Sequence, residues 1–572
     1  MQILTNHIGY ERLGPKKAIL MLDEDSLLPS SQVELINADN KQCVGHFPLA
    51  QIARVEKWHH GYFSHIDFSA HQVSGSYYLR FQYCQSKSIT ISNKQLCQST
   101  LSDLIHYFKS QRCDGLFDRK DKHVRLLNSQ TYVDVHGGWY DASGDVSKYL
   151  SHLSYANYFN PQQTPIVVWN MVKGIEMTQR SLPDFIYQRM LDEALFGADF
   201  LLRMQHSSGY FYTTVFDKWS KNPQEREICS YSTQQGQKSD DYQAGFRQGG
   251  GLAIAALAAA ARLNKDRDYT AEEYLKAAVL GYAHLKEHNH YYLNDNQENI
   301  IDEYCALIAS VELYKSTHQT CYLEEARTWA KRLTSRQQSD ANVSHYWSAN
   351  DDGSRPYFHA AEAGLPAIAL CEYLSIDKQD NLSEAVLKTL VQSCQFELSI
   401  THKVFNPFGY PRQYVKDLHH DKREAFFIAQ DNETGYWWQG ENARLSSLAV
   451  MGYFAQPYIK DITLKNGLIQ YAQDAIDWIL GLNPYDMCML DGHGHNNPDY
   501  LPQLGFFNAK GGICNGITAG VSEPHGIAFN PSPHKDDMAQ NWRWGEQWLP
   551  HSAWFLLAII AQSHHFNNKE ES

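Results

Sequence analysis

The part of the sequence with the clearest potential for chemistry is a glycine-rich turn that carries two carboxylates. It reads GGWYDASGD from Gly137 to Asp145, so that Asp141 and Asp145 stand four residues apart. Two carboxylates on one turn can address the same water molecule, one removing its proton while the other orients it. The alternative is a structural turn, in which Asp141 caps a backbone N–H and Asp145 caps a short helix starting near Val146. The spacing is compatible with both interpretations.

A third carboxylate of interest stands near the other end of the chain. Glu546 is close in sequence to Trp542, Trp544 and Trp548, at the start of the last apolar helix. Aromatic surroundings would exclude water from this carboxyl group and raise its pKa, which is what a general acid requires near neutral pH. The alternative is a glutamate that only complements the dipole of the helix. An early carboxylate pair and a late acid together match the two-carboxylate logic of glycoside hydrolysis.

The first 95 residues have the pattern of short strands separated by turn residues. Candidate strands lie at 16–22, 31–37, 60–69, 75–83 and 88–93. In the fourth of these, Tyr77, Leu79, Phe81 and Tyr83 share one face, which is the alternation of a half-buried strand. Strands at this spacing predict a small β-sandwich over residues 1–95.

Beyond residue 95 the apolar residues recur with the period of an α-helix. Twelve candidate helices lie near 100–112, 164–180, 182–205, 250–263, 271–288, 299–317, 322–336, 357–376, 382–400, 441–456, 464–481 and 546–563. Twelve helices can form a bundle, a solenoid or a closed double ring, and the lack of a fixed repeat of 20 to 50 residues disfavours a solenoid. We therefore expect a mainly α protein in which residues 96–572 form a closed ring of six inner and six outer helices.

Five long polar stretches interrupt these helices and are rich in glycine and aromatic residues. They cover 113–160, 206–249, 337–356, 401–440 and 483–545. Loops of this length inside a compact domain are usually functional, so we expect them to build the site.

Composition and charge exclude several classes of function. The chain has 50 Lys and Arg against 64 Asp and Glu, a formal charge of −14 that repels phosphate backbones, so no nucleic-acid partner is expected. The aromatic content of 13% is typical of surfaces that stack on sugar rings. No apolar run reaches about 18 residues, so no membrane span is expected. The eleven cysteines form no Cys-x-x-Cys pair, and the N-terminus lacks the pattern of a signal peptide, which together predict a cytoplasmic location.

Five segments resemble glycoside hydrolase family nine, in the subgroup with an N-terminal immunoglobulin-like domain. GGWYDASGD is similar to the family's GGW-aromatic-DAGD motif, and NHIGYERLGPKKAIL resembles the opening strands of the immunoglobulin-like module. DLIHYFKSQRC resembles the first catalytic helix, WILGLNPYDMCMLDGHG the ILG-x-NP segment, and WGEQWLPHSAWFLLAI the final, acid-bearing helix. The five segments follow one another in the order of the family.

The resemblance implies an (α/α)6 barrel and inverting hydrolysis of a β-1,4 link. It also implies that Asp145 is the general base, that Asp141 positions the water and that Glu546 is the general acid. In an inverting enzyme the base and acid carboxyl groups should stand about 6.5 to 9.5 Å apart.

The sequence departs from the family pattern at two places. Three residues, rather than two, separate Asp141 from Asp145, and the usual His-His-Arg loop is replaced by a segment with His493, His495 and Asn496. The second departure predicts a glycan other than plain cellulose chains.

Within the family the chain most resembles bacterial exo-β-D-glucosaminidases, in GGWYDASGDVSKYLSH and RPYFHAAEAGLPAIAL. The expected activity is release of β-1,4-linked glucosamine from the non-reducing end of small chitosan oligosaccharides such as (GlcN)2. The alternatives are a cytoplasmic cellodextrinase, β-glucosidase or endoglucanase, and a non-catalytic carbohydrate-binding protein.

Further residues in the polar stretches are candidate substrate contacts. They are Trp139, Tyr140, Asp240, Asp241, Tyr357, His359, Glu362, Tyr436, Trp437, Trp438, Glu441, His493, His495 and Asn496. Among them Asp240, Asp241, Glu362 and Glu441 would bind the ammonium group of an amino sugar through charge-assisted hydrogen bonds. The alternatives are surface charges for these carboxylates and core positions for the tryptophans and histidines.

No metal or cofactor is expected. Cys113 and His123 stand where some relatives hold a structural zinc, but no second cysteine accompanies them, and a structural zinc needs four ligands. Calcium is an alternative in the carboxylate-rich loops, although no segment resembles a dedicated calcium loop such as the EF-hand. The expected partner is a small glucosamine oligosaccharide, and the expected state is a monomer or a homodimer.

Overall fold

The N-terminal region of the computed structural model folds into two packed β-sheets. The structure describes residues 1–23, 31–178, 182–378, 381–506, 508–532 and 534–571. One sheet is antiparallel and has the order Gln2–Leu4, Lys17–Leu22, Tyr62–Asp67. The other has the order Tyr10–Glu11, Ile89–Ser92, Gly75–Phe81, Gln32–Asn37, Cys43–Pro48, and Cys84–Gln85 pairs with its central strand. Apolar side chains of both sheets form a core of their own, so this region is an immunoglobulin-like β-sandwich.

All five predicted strands are present, and the structure adds four strands that were not predicted, Gln2–Leu4, Tyr10–Glu11, Cys43–Pro48 and Cys84–Gln85. The strand Cys43–Pro48 was not predicted, because none of its side chains is buried and its pattern lacks an apolar face. Tyr83 is 86% exposed and lies outside the strand, which ends at Phe81 because the left-handed backbone of Gln82 turns the chain. The shared face therefore consists of Tyr77, Leu79 and Phe81.

Twelve helices of 12 residues or more form a double ring within the described residues. The inner six are Thr164–Thr178, Gly251–Arg262, Ile300–Thr317, Leu365–Ile376, Asn442–Phe454 and Leu549–Glu571. The outer six are Gln95–Ser110, Asp184–Arg203, Ala271–Tyr292, Thr320–Ser335, Asn381–His402 and Ile462–Ile479. Each inner helix contacts the next, and the last contacts the first, which closes an (α/α)6 barrel.

Burial explains which helices lie inside. The inner helix Gly251–Arg262 is apolar on all sides and is buried throughout its first ten residues. The outer helix Thr320–Ser335 has one apolar face, and only Ala326, Trp329, Ala330 and Leu333 are buried. The predicted helices at 357–376 and 546–563 begin later than expected, at Leu365 and Leu549.

The long stretches between the helices contain short elements. A five-stranded sheet has the order Tyr132–Val133, Val124–Leu126, Glu227–Ile228, Thr214–Phe216, Lys148–Tyr149, and it joins the GGWYDASGD segment to the second polar stretch. The remaining strands are Phe211–Tyr212, Ser230–Ser232, Gln237–Ser239, Gln243–Ala244, Gln337–Gln338, Tyr346–Trp347, Gln413–Lys416 and Lys422–Ala425. The short helices and helical turns are Gly115–Asp121, Pro223–Glu225, Phe246–Gly250, Gln456–Tyr458, Pro502–Leu504 and Trp542–Gly545. No helix of the described residues has the length and apolar character that crossing a membrane requires.

The sandwich packs against the barrel through apolar and charged contacts. Trp58 is 2% exposed and its ring contacts Phe426 and Trp478 of the barrel. Lys17 Nζ pairs with Asp474 Oδ2 at 2.7 Å, at a site where the aspartate is almost fully buried. The sandwich thus supplies the cation for a buried barrel carboxylate.

Replacement of Lys17 with methionine is expected to destabilise the protein by about 3 kcal/mol, because it leaves the buried charge of Asp474 without its cation. Thermal and urea unfolding of the full chain would measure this loss. Arg80→Met is the matched control, since Arg80 pairs with Glu34 in the same sandwich but both side chains are about one third exposed. Equal effects of the two substitutions would contradict the interpretation.

Candidate active site

The three carboxylates identified in the sequence lie together in one cavity of about 250 Å³. Asp141, Asp145 and Glu546 line it, and the other lining residues come from the polar stretches 113–160, 206–249, 401–440 and 483–545 and from the residues that follow the last of these. The stretch 337–356 contributes no lining residue among those described. Four of the five stretches therefore build the cavity, as the sequence predicts for functional loops.

Hydrogen bonds tie the two ends of the chain together beneath this cavity. Ser143 N donates to Gln547 O at 2.9 Å, and Leu549 N donates to Asp141 O at 3.1 Å. Within the turn, Ala142 and Asp145 exchange two backbone hydrogen bonds of 3.2 Å. The third residue between Asp141 and Asp145 is thus accommodated in a closed β-turn, and both aspartates line the cavity.

Gly144 is the point where the turn touches Glu546. Its N–H donates to Glu546 Oε1 at 3.0 Å. A Cβ atom at position 144 would lie 2.3 Å from the same oxygen and 3.0 Å from the Tyr500 hydroxyl. Only glycine therefore allows this approach.

Gly144→Ala is expected to lower hydrolytic activity by at least roughly tenfold, because the added methyl group displaces the Glu546 carboxyl, and a misplacement of about 1 Å is costly in a catalytic site. The measurement is kcat on the best substrate together with the melting temperature. Gly435→Ala provides a control, since a Cβ atom there meets nothing within 4 Å although its positive φ adds backbone strain. A fully active Gly144→Ala variant would show that the contact is not needed.

Glu546 lies outside the last helix, contrary to its expected place at the helix start. Its backbone is extended, with φ −69° and ψ 134°, and the helix begins only at Leu549. The alternative of a glutamate within the first helical turn is therefore wrong. Tyr500, Trp542 and Trp548 line the same cavity as this carboxyl group. Burial, followed by the charge of Asp145, raises the pKa of Glu546 to about 8.

Asp145 receives more hydrogen bonds than the other two carboxylates. Ser147 N donates to Oδ1 at 2.8 Å, while the Tyr149 hydroxyl and Trp219 Nε1 donate to Oδ2 at 2.7 and 3.0 Å. Burial raises the pKa of this carboxyl, as does the charge of Asp217, whereas the donors favour its ionised form.

Asp141 is also buried, and burial raises its pKa well above the usual range, with a further contribution from Asp145. Trp548 Nε1 donates to its Oδ1 at 3.1 Å. His152 Nδ1 stands 3.8 Å from its Oδ2, and burial lowers the pKa of this histidine to about 3, so the ring is neutral. Asp141 thus has an indole donor on one oxygen and a neutral imidazole near the other.

Two of the candidate substrate contacts reach the cavity. Tyr436 and Trp437 line it, and the Tyr436 hydroxyl also accepts a hydrogen bond from Tyr155 at 3.2 Å. Their neighbour Trp438 does not line the cavity and packs on the Arg543 guanidinium, 4.1 Å from the ring centre. Glu441 is 1% exposed and pairs with Arg444 at 3.0 Å behind the cavity wall.

The two aromatic residues of the GGW motif also lie away from the cavity. Trp139 is fully buried and donates its indole N–H to Glu193 at 3.2 Å. The Tyr140 hydroxyl accepts a hydrogen bond from Asp114 N at 3.2 Å on the outside of the turn. Both side chains support the turn.

The residues predicted around position 360 form a buried cluster. Glu362 accepts hydrogen bonds from the Tyr304 hydroxyl at 2.6 Å and from Gln162 N at 2.9 Å, and burial raises its pKa to about 8. His359 and Tyr357 are buried beside it. None of the three lines the cavity.

The exposed candidates lie on other surfaces. Asp240 and Asp241 are exposed next to the Ser230–Ser232/Gln237–Ser239 hairpin, where Asp241 accepts a hydrogen bond from Ser239 at 3.0 Å. Solvent screens carboxylates in such positions, so these two aspartates cannot provide a buried anion.

His493, His495 and Asn496 face the N-terminal sandwich or the outside of the barrel. His493 contacts Asp103 at 2.9 Å, His495 contacts Asp486 at 3.0 Å, and Asn496 donates to Asp486 O at 2.8 Å. The segment that replaces the His-His-Arg loop therefore makes structural contacts.

Several lining residues were not predicted as substrate contacts from the sequence. They are His152, Trp219, Gln234, Gln439, Tyr500, Phe506, Met538, Ala539, Trp542 and Trp548. The sequence indicates Trp542 and Trp548 only as aromatic neighbours of Glu546. All of the others stand in the polar stretches, so the only available signal was their position in a long loop.

One cluster of possible metal ligands occurs among the described residues of the domain interface. Atoms of His7, Asp486 and His495 lie within 4.8 Å of one another. The two rings are stacked at 3.5 Å with an angle of 12°, and each bonds a different oxygen of Asp486. A metal must lie near the plane of each imidazole that binds it, which two rings stacked face to face do not permit, so the cluster fits hydrogen bonding rather than a metal.

The residues considered for zinc have other contacts. Cys113 Sγ donates to Asp121 at 3.6 Å, and His123 stacks on Tyr132 at 4.1 Å. Asp121 in turn pairs with Arg226 at 2.7 Å and with Lys148 at 2.6 Å, so an ion-pair cluster holds this region together.

Comparisons with known proteins agree with this architecture. The sequence model of glycosyl hydrolase family 9 matches residues 98–503, and that of the cellulase N-terminal ig-like domain matches residues 1–86. A comparison with curated protein sequences gave no match.

Solved structures share the fold along the whole chain. One is a metagenome-derived family 9 endoglucanase, with 17% identity, a TM-score of 0.69 and coverage of 98% of this chain and 99% of that chain. Another is a family 9 protein of Bacteroides ovatus, with 18% identity, a TM-score of 0.64 and 99% coverage of both chains. A third is AaCel9A in complex with cellobiose-like isofagomine, with 16% identity, a TM-score of 0.65 and coverage of 98% and 100%. The chain therefore belongs to glycosyl hydrolase family 9, with an N-terminal immunoglobulin-like domain.

Proposed function

We propose that this family 9 glycoside hydrolase releases glucosamine, with inversion, from the non-reducing end of short β-1,4-linked glucosamine oligosaccharides. The observation that carries the proposal is a small cavity with three buried carboxylates and no paired cation. Within the described part of the chain, the only basic side chain with a nitrogen within 4.0 Å of their oxygens is His152, 3.8 Å from Asp141, and its ring is neutral. A buried anionic cavity favours a ligand that brings its own positive charge, as an amino sugar does.

The protonation states support a division of roles among the carboxyl groups. Glu546, with a pKa of about 8, holds the proton that the leaving glycosidic oxygen requires at neutral pH. Asp145, with three donors that favour its ionised form, removes a proton from the attacking water. Asp141 orients this water through the oxygen that Trp548 leaves free. In one turnover the C–O bond breaks, water forms the new bond, and Glu546 and Asp145 exchange their protonation states.

The shape of the cavity supports action on a terminal sugar. Its volume of about 250 Å³ lies below the range of roughly 300–1,000 Å³ for pockets that hold larger ligands. Lys221 Nζ stands 3.7 Å from the ring centre of Phe506, which joins two loops at the mouth. Met538 and Trp542 border the same opening. In an enzyme that cleaves inside a long chain, the loops that carry these residues would have to stand apart to leave an open cleft.

The carboxylates suggested by the sequence for amine binding do not fit this role. Asp240 and Asp241 are exposed elsewhere, and Glu362 and Glu441 are buried behind the wall. The proposal therefore assigns the ammonium to the two aspartates of the cavity, Asp141 and Asp145. A bound cation beside Asp145 would lower the pKa of this carboxyl and thereby keep it ionised.

Hydrolysis of (GlcN)2, cellobiose and (GlcNAc)2 by the purified protein, followed by proton NMR of the released anomer, tests the proposal. We expect (GlcN)2 to be cleaved at least roughly tenfold faster than cellobiose, with an inverted anomer, because one charge-assisted hydrogen bond is worth more than 1.4 kcal/mol. Faster cleavage of cellobiose would contradict the amino-sugar specificity and leave the mechanism standing.

The second candidate function is an endoglucanase or a cellodextrinase. It is supported by two of the structural relatives above, one described as an endoglucanase and one in complex with cellobiose-like isofagomine. Release of internal products from carboxymethyl cellulose or cellotetraose would favour it. Failure to cleave any of these substrates would favour a carbohydrate-binding protein.

A further inference from the structure

A fourth buried carboxylate, Asp217, stands directly behind Asp145 and takes no part in the roles above. It is fully buried, and it does not line the cavity. Its Oδ1 accepts hydrogen bonds from the Ser147 hydroxyl at 3.1 Å and from Trp219 N at 2.9 Å. Its Oδ2 is buried and has no hydrogen-bond partner among the residues that the structure describes. A buried carboxylate with one unpartnered oxygen is costly and requires an explanation.

The two residues that bind Asp217 are also donors to Asp145. Ser147 donates its backbone N–H to Asp145 Oδ1, and Trp219 donates its indole N–H to Asp145 Oδ2. The four residues Asp145, Ser147, Asp217 and Trp219 therefore form a closed ring of hydrogen bonds. We name it the aspartate ring.

The backbone around Trp219 is strained, which makes the ring contacts necessary. Lys218, Trp219 and Lys221 have φ angles of 62°, 58° and 55°, in the left-handed region that costs non-glycine residues about 1–2 kcal/mol each. The hydrogen bond of Trp219 N to Asp217 helps to hold this conformation. Gly236, in the adjacent hairpin, leaves room for the indole, because a Cβ atom there would lie 2.9 Å from Trp219 Cζ3.

We propose that Asp217 is the positioning residue of the Asp145 base. Its carboxylate fixes the two groups that hold Asp145, and its charge strengthens Asp145 as a proton acceptor. The inference rests on the proposed function, because it takes Asp145 as the base. It assigns to the Asp217 carboxylate a function in catalysis that needs no contact with substrate.

Charge and hydrogen bonding act on Asp145 in opposite directions. The negative charge of Asp217 raises the pKa of Asp145, whereas the donors of Ser147 and Trp219 lower it. The other titratable groups that face Asp145 are Asp141, Glu546, Lys221, Tyr149, Tyr231 and Tyr500. Those that face Asp217 are Asp145, Lys221 and Arg226. None of these groups is altered in the three variants whose Asp145 titrations are compared below.

The test compares two variants in which the aspartate ring predicts opposite shifts of the Asp145 pKa. Asp217→Asn removes the charge but keeps an oxygen for both hydrogen bonds, so the pKa of Asp145 should fall by about one unit. Trp219→Phe removes the indole donor, so this pKa should rise by about one unit. Trp542→Phe is the control, since its indole lines the same cavity but donates to Ala539 O at 3.0 Å. In the Trp542→Phe variant, the pKa of Asp145 should equal that of the wild type.

The pKa is measured on the free protein by 13C NMR of labelled aspartate carboxyl groups, with Asp145→Asn identifying the resonance. In addition, the acidic limb of kcat/KM against pH should move in the same directions. Melting temperatures show that each variant is folded. The inference would be overturned if the Asp145 pKa shifted in the same direction in Asp217→Asn and Trp219→Phe. It would also be overturned if this pKa shifted in neither folded variant. A wild-type protein that hydrolyses no glycoside would contradict the proposed function, while the NMR titration would still test the aspartate ring.

Discussion

Glu546→Gln is expected to lower kcat on natural oligosaccharides by roughly 10²–10⁴-fold while leaving the fold intact. The amide has the shape of the carboxyl group and can still accept the hydrogen bond of Gly144 N. It cannot deliver a proton to the leaving oxygen. The measurement is kcat on the best oligosaccharide, together with kcat on a glycosyl fluoride of the same sugar. Because fluoride leaves without a general acid, the loss should be much smaller on the fluoride.

The pH dependence of the wild type provides a second readout of the same residue. A general acid with a pKa of about 8 gives activity that declines above pH 8, and this basic limb should disappear in Glu546→Gln. Glu362→Gln is the matched control, because burial raises the pKa of Glu362 to about 8 as well, although its carboxyl lies outside the cavity. Retention of the basic limb in Glu546→Gln, or its loss in Glu362→Gln, would contradict the assignment of the acid.

The stability of the protein should reveal the cost of keeping this acid buried. The pKa of Glu546 rises from 4.5 to about 8 on folding, so the folded state binds the proton more tightly. Stability is therefore lost as the pH rises from about 4.5 to about 8. Over that window the Gln variant should become more stable than the wild type, by roughly 2–4 kcal/mol at pH 8, and the two should be equal near pH 4.

Asp145→Asn is expected to lower kcat by a similar factor, roughly 10²–10⁴-fold, on oligosaccharides and fluorides alike. The amide can still accept hydrogen bonds from Tyr149 and Trp219 on its oxygen. It cannot remove a proton from water, and a better leaving group does not replace that step. A loss confined to substrates with poor leaving groups would show that Asp145 is not the base.

The Asp141→Asn variant distinguishes the catalytic roles of the two aspartates of the turn. If Asp141 only orients water, its amide should retain more activity than that of Asp145→Asn, because orientation does not require a proton acceptor. Azide, which attacks without losing a proton, should restore turnover in Asp145→Asn as the inverted glycosyl azide. If azide instead restored turnover in Asp141→Asn, Asp141 would be the base and Asp145 would orient the water.

Local patterns in the sequence were sufficient for the secondary structure and for the three carboxylates. All twelve helices and all five predicted strands are present, because each depends on the periodicity of its own apolar residues. In the segment Gly137–Asp145, and around Glu546, the functional side chains of each motif are only a few residues apart in the sequence. These motifs are therefore visible without the fold. The desolvation of Glu546 followed from Trp542 and Trp548, both of which line the cavity with it.

The identity of most other lining residues was decided only by the tertiary structure. Trp139, Glu362 and Glu441 have the residue types of a sugar site, but each is turned into the interior by its own partners, Glu193, Tyr304 and Arg444. Trp219 and Tyr500, far apart in sequence, meet the carboxylates instead.

The physical reason is the range over which each interaction acts. Periodicity and turn chemistry act over a few neighbouring residues, so the sequence alone determined the elements, their order and the carboxylates that a short motif contains. A cavity forms where loops from distant parts of the chain converge, and which side chains face it depends on the packing of all twelve helices. The hydrogen bonds that join Asp145 to Asp217 through Trp219, across more than 70 residues, could therefore be found only in the folded protein.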